Sequence, residues 1–226
     1  MDVFWLWSLI LLVPALVLGI YAQVRVSSAF NRYSQVPSAR GLTGAQGARL
    51  VLDSAGLSNV GIQIAGSRLS DHYDPRTDVL TLSPEVGNSN SLAALGVAAH
   101  EAGHALQHAE GYAAARLRSA MVPAANIGTN LGFVLFFIGL IFYRNGLLMG
   151  VGILLYSAAV LFTLVTLPVE FDASRRAMTQ LENRSILVGD ELVGAKKVLS
   201  AAALTYVAAA LMAILQLVRL ILISRR

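Results

Sequence analysis

Four stretches of about 20 mainly apolar residues constrain this chain most, because a segment of that length crosses a bilayer as a helix. They run over 3–22, 122–143, 147–169 and 201–223 of the 226 residues. In the first, Trp5, Trp7 and Tyr21 stand near the ends as interface anchors. Asp2 is the only early charge, so this segment reads as an uncleaved anchor rather than a signal peptide. The early part of the second carries Pro123, Asn126, Thr129 and Asn130 and is expected to line protein or water. Pro168 stands near the end of the third, and Arg219 in the fourth is placed to snorkel outward.

The spans account for the composition. The chain is 56% hydrophobic and 13% charged, with a mean hydropathy of +0.64. An ordinary soluble domain carries roughly 25% charged residues, so a soluble single-core enzyme is excluded, as is a disordered chain. There is no cysteine, which rules out disulfides, thiolate metal sites and cysteine nucleophiles. Any metal site must use His, Asp, Glu or water. The net charge of +4 is scattered, with no basic block that could track phosphates, so nucleic acid is not an expected partner.

Basic residues also orient the spans. The segments 24–119 and 170–200 together hold 13 of the 17 Lys and Arg residues. The other side holds Arg144, Arg219, Arg225 and Arg226. The positive-inside rule therefore places both segments in the cytoplasm and both termini outside.

Between spans, 43–55 reads as a helix with Thr43 as N-cap and Gly56 beyond its end. Strands are expected at 60–64 and 78–82, separated by a turn at 74–77, with Ser83-Pro84 ending the second. A helix starts near Ser91 and runs to about Glu110, stopped by Gly111. Further helices are expected over 170–181 and from Gly189 into the last span. The organisation is then a first span at 1–23, an extramembrane segment at 24–119, a span hairpin at 120–169, a connector at 170–200 and a last span at 201–226.

The 24–119 segment contains His100-Glu101-Ala102-Gly103-His104. Residues four apart share a helix face, so both imidazoles can bind one Zn²⁺. Glu101 lies beside them and has the position of a general base acting on water. A chain with this His and Glu content would contain the motif by chance roughly 0.002 times. A third ligand is needed. His108 is rotated about 80° from His100 and points elsewhere. His72 reads as a solvated loop residue. Glu170 is the choice: a carboxylate at the end of a span needs a partner, and the span hairpin returns the chain to the membrane face it left. Asp172 is the rival, and could instead hold a ligand imidazole from behind.

These residues carry a resemblance to a family. Asp71-His72-Tyr73-Asp74-Pro75-Arg76, Leu82-Ser83-Pro84-Glu85, the segment 98–105 around the His pair, and Leu167-Pro168-Val169-Glu170-Phe171-Asp172-Ala173-Ser174-Arg175-Arg176 together resemble the YugP-like membrane zinc metallopeptidases, also called neutral zinc metallopeptidase 2. The resemblance covers nearly the whole chain. It implies one zinc ion, endopeptidase chemistry and a bacterial cell (inner) membrane location. The arrangement is more distantly similar to gluzincins, which carry Glu-x-x-Ala-Asp on the third-ligand helix. Here Ser174 replaces the Asp, so Asp172 or Ser174 is the candidate for that supporting role. The gluzincin pattern also implies a substrate-holding edge strand, for which Asp78, Val79, Leu80, Thr81 and Leu82 are in place.

The expected architecture is a mainly α membrane protein: four transmembrane helices plus a small α+β zincin-like cytoplasmic metalloprotease domain. Its expected chemistry is peptide hydrolysis, with His100, His104 and Glu170 on zinc, Glu101 as base, and His72, Tyr73 or Arg175 as oxyanion donor. Its partners are the bilayer and a peptide or membrane-protein substrate. The competing reading is a non-catalytic scaffold with a structural metal, against which Glu101 speaks, since a structural site needs no base. A transporter fits less well, for want of intramembrane charge and of an inverted repeat.

Overall fold

The computed structural model describes residues 8–66, 70–142 and 145–225. The expectations placed on Trp5, Trp7, Tyr143, Arg68, Arg144 and Arg226 lie outside these residues. Seven helices and three strands follow in order: α1 (Val13–Tyr33), α2 (Gly44–Ser54), β1 (Gly61–Ile64), β2 (His72–Asp74), β3 (Val79–Leu82), α3 (Pro84–Gly87), α4 (Leu92–Ala109), α5 (Ala113–Ile141), α6 (Gly146–Asn183) and α7 (Asp190–Ser224), counted among the described residues. Among the described residues, four helical segments are long and apolar enough to cross a membrane: Ser8–Tyr33, Ala113–Ile141, Gly146–Asn183 and Asp190–Ser224. The chain divides into two compact units, one of 1–23, 116–168 and 204–226, the other of 24–115 and 169–203.

In the first unit, α5 and α6 pack backbone to backbone through glycine. A methyl group added at Gly152 would lie 2.6 Å from the Phe136 amide nitrogen and 2.7 Å from the Gly132 carbonyl oxygen. Phe136, Met149 and Tyr156 fill the core beside this crossing, with Leu220 and Ile223 of α7. The Phe133 ring meets Tyr156 edge to face at 4.7 Å. Leu147 and Leu154 face outward at 76% and 72% exposure, an arrangement that suits lipid rather than water. Arg219 does not snorkel outward as expected. It is 5% exposed and donates from Nε to Ser8 Oγ at 3.0 Å, because a polar partner is available inside this unit.

The second unit is built from caps and a small sheet. Thr43 caps α2 in a capping box with Gln46, and Gly56 takes the positive φ that ends it. Ser91 caps α4 by accepting from the Ala94 amide, and Gly111 (φ +64°) lies just past its end. The core joins Val51 and Leu52 of α2, Leu80 and Leu82 of β3 and Leu95 of α4 with Leu181, Ile186 and Leu187. A fully buried Leu contributes about 1.5–3 kcal/mol relative to exposure.

Three expectations need correction. The sheet has three strands in the order β1-β3-β2, with β1 parallel and β2 antiparallel to β3. Residues 72–74, read as loop, pair with Val79–Thr81 across a turn in which the Asp74 carboxylate accepts from the Arg76 amide. Arg76 holds the Asp74 carboxyl down at about 2. The strand β3 is therefore central, and Asp78 sits in the turn at φ +52°. The segment Asp78, Val79, Leu80, Thr81 and Leu82 is thus no free substrate-holding edge, since Val79, Leu80 and Thr81 are paired on both sides. Second, the helix expected from residue 170 is the continuation of α6 straight through Pro168. Proline gives up one hydrogen bond but keeps a helical φ, and long apolar helices accommodate it. Third, the first long helix extends past residue 22 to Tyr33.

The glycine crossing yields a prediction. Gly152→Ala should lower stability by about 2 kcal/mol, because only backbone surrounds the new methyl. Gly150→Ala, where an added methyl meets nothing within 4 Å, should be neutral. Thermal unfolding of both variants in detergent checks the contrast.

Candidate metal centre

The helix α4 presents His100 and His104 on one face, and the residues between and around them are small. Ala98, Ala99, Ala102 and Gly103 are fully buried. A methyl group at Gly103 would lie 2.5 Å from the Ala173 carbonyl oxygen and 3.2 Å from its carbonyl carbon. Only glycine lets α4 approach α6 this closely, and Ala173 is three residues beyond Glu170 on that helix.

The approach brings three donors together. Glu170, 2% exposed, sets Oε2 at 3.2 Å from His100 Nε2 and 3.7 Å from His104 Nε2. The candidate ligand atoms of His100, His104 and Glu170 all lie within 4.8 Å of one another. A tetrahedral ion with donors at 2.0–2.2 Å holds them about 3.3 Å apart, so the set fits one ion. The two imidazole centroids are 4.8 Å apart and nearly perpendicular. Asp172, the rival ligand, is not in this cluster.

The far side of each ring is held as well. His100 Nδ1 lies 3.0 Å from Ser174 Oγ, and His104 Nδ1 lies 3.0 Å from Gln107 Oε1. With Nδ1 engaged, Nε2 is the atom each ring offers toward Glu170. Burial works against charging His104, but hydrogen bonding and charge from Glu170, with Glu101 beside it, outweigh burial and raise its pKa above the ordinary histidine value. Glu101 is partly exposed, next to the first ligand in sequence and outside the cluster.

The remaining sequence candidates are engaged elsewhere. Tyr73 donates to Asp78 Oδ1 at 2.7 Å; burial first, then that carboxylate, push its phenol well above the usual range. His72 Nδ1 lies 2.6 Å from the Ser70 carbonyl oxygen. Arg175 pairs with Asp172. His108 turns away from the cluster, its ring 6.1 Å from that of Tyr73. Asp172 touches no ligand imidazole; it meets Gln107, Arg175 and Arg176. Sequence reasoning missed Gln107. Its signal in the sequence is a polar residue three positions after a candidate ligand, on the helix face that carries both histidines.

Fold and site together define a multi-pass helical membrane protein with a His-His-Glu group that could hold one metal ion. The family model described as "Putative neutral zinc metallopeptidase" matches residues 8–225. The chain belongs to that family of zinc metallopeptidases. It is 45% identical over 213 residues to "Putative membrane protease YugP" of Bacillus subtilis (strain 168), covering 94% of each chain. No solved structure matches.

Two substitutions probe the centre. Glu170→Gln should reduce bound zinc from about one ion per chain to a small fraction, because it removes the one anionic ligand. Elemental analysis of the purified full-length protein reads this. Gly103→Ala should lower thermal stability and zinc affinity together, since the backbone it meets cannot yield.

Proposed function

We propose that this chain is a membrane-embedded zinc-dependent endopeptidase that hydrolyses peptide bonds near the cytoplasmic membrane face. The observation that carries the reading is the convergence of His100, His104 and Glu170 with Glu101 next to the first ligand. When bound, zinc polarises a carbonyl and makes water a nucleophile near neutral pH. His100 and His104 would hold the ion through Nε2, and Glu170 would supply the third donor.

Glu101 serves as the proton carrier. It lies about 100° around the helix from His100, one residue on, and its partly exposed carboxylate is within the reach of solvent. It takes a proton from the attacking water and delivers it to the leaving amine, the two transfers that amide hydrolysis requires. A site of purely structural use has no need of this group. Both Nδ1 contacts keep the rings aimed while charge develops.

The orientation rests on the basic residues. Arg25, Arg32, Arg116, Arg118, Arg175 and Arg176 flank the spans on the side assigned to the cytoplasm, with both termini outside. The fold of the metal-bearing unit is read as zincin-like, from the motif helix and the carboxylate on a second helix. The substrate class this suits is a membrane protein or a peptide close to the membrane.

The test uses full-length protein in detergent, loaded with zinc, against a panel of quenched fluorogenic peptides. Glu101→Gln should retain zinc and lose activity by about 10²–10⁴-fold. Full activity in that variant would overturn the role of Glu101. A wild-type chain that binds zinc and cleaves nothing would favour the scaffold reading instead.

A further inference from the structure

We infer that Gln107 is the positioning residue for His104, fixing the tautomer and aim of that ligand from behind and linking it to the opposing helix. The inference rests on the metal-centre reading and goes beyond the ligand set.

Gln107 is 1% exposed, so its two donors and its acceptor must be satisfied within the protein. Its Nε2 donates to the Val169 carbonyl oxygen at 2.8 Å and to Asp172 Oδ2 at 2.9 Å. A main-chain carbonyl only accepts, and so does a carboxylate held by two arginines. The amide nitrogen must therefore point toward α6, and the amide oxygen is left facing His104 Nδ1 at 3.0 Å. An oxygen there requires Nδ1 to carry the proton. The lone pair of His104 is thereby assigned to Nε2, the atom on the Glu170 side.

The orientation is braced one step further out. Asp172 is anchored by Arg175 and Arg176, and Arg176 also pairs with Glu110 at 2.7 Å and lies over the Tyr112 ring at 5.8 Å. A line of contacts thus runs from Arg176 through Asp172 and Gln107 to His104. His100 is held differently, by the Ser174 hydroxyl, which can rotate to donate or accept. The fixed orientation belongs to His104.

A residue acting only as a tether between helices would make the same two donations to Val169 and Asp172. The third contact, to the imidazole, separates the two roles. Gln107→Leu removes all three hydrogen bonds. Gln107→Glu keeps an acceptor for the Nδ1 proton and loses the donations. Zinc dissociation constants of the full-length protein in detergent are measured by competition with a chromogenic chelator, alongside the metal-free melting temperature.

Positioning predicts zinc binding weakened about 10–100-fold in Gln107→Leu. It predicts Gln107→Glu within a fewfold of wild type in zinc affinity, although its metal-free melting temperature falls. Wild-type zinc affinity in Gln107→Leu overturns the inference, and so does an equal loss of affinity in both variants. A measurement on the unaltered protein guards against a variant that does not fold. In the zinc-loaded wild type, the His104 Nδ1 proton should exchange slowly with solvent by NMR, and free exchange overturns the inference. A wild-type chain that binds no zinc removes the metal-centre reading itself and this inference with it, an outcome distinct from wild-type binding left unaltered by the variants.

Discussion

A buried carboxylate organises the second unit. Glu170 is 2% exposed, and an isolated ionised carboxylate cannot be taken out of water without compensation. Two imidazoles supply the surroundings, from two successive turns of α4. Their approach in turn demands that α4 and α6 nearly touch, which the Gly103–Ala173 contact permits and any larger residue at 103 would prevent. A single electrostatic requirement is thus met by a steric one.

The polar groups behind the ligands extend the same logic. Each imidazole has one nitrogen toward Glu170 and the other toward a side chain, Ser174 or Gln107. Asp172 could have competed with Glu170 for an ion, but two arginines and an amide already occupy it. Two carboxylates two residues apart on one helix are thus sorted by what faces them, Glu170 by the imidazoles and Asp172 by the arginines. The first unit meets a different requirement. Its apolar helices close on one another through glycine and leave outward-facing leucines whose exposure only lipid makes tolerable.

Much of this was legible in the residues. The four apolar stretches, the capping Thr43 and Ser91, the stops at Gly56 and Gly111 and the His100–His104 spacing are local signals, each set by residues within a few positions. The choice of Glu170 over Asp172 was also reachable, because a carboxylate at the end of an apolar stretch needs a partner. The sheet order was not. The three-residue β2 is too short to show a period, and its pairing with β3 moved that strand from the edge to the centre. The continuity of α6 through Pro168 was hidden for the opposite reason: proline is a strong local stop signal that a long apolar helix overrides. Arg219 found Ser8, 211 positions away, which no window along the chain could reveal.

By itself, then, the sequence determined that the chain must cross a membrane several times and that one helix carries two histidines and a glutamate in metal-site spacing. Those properties follow from composition and helical period, which act over one element. Only the tertiary structure decided how closely Glu170 approaches the histidines and which nitrogen of each ring faces it. It also decided that Gln107 stands between His104 and the helix opposite. The reason is physical: ligand geometry and hydrogen-bond direction depend on distances between helices, and those distances are set by packing at positions such as Gly103 and Ala173 rather than by any local propensity.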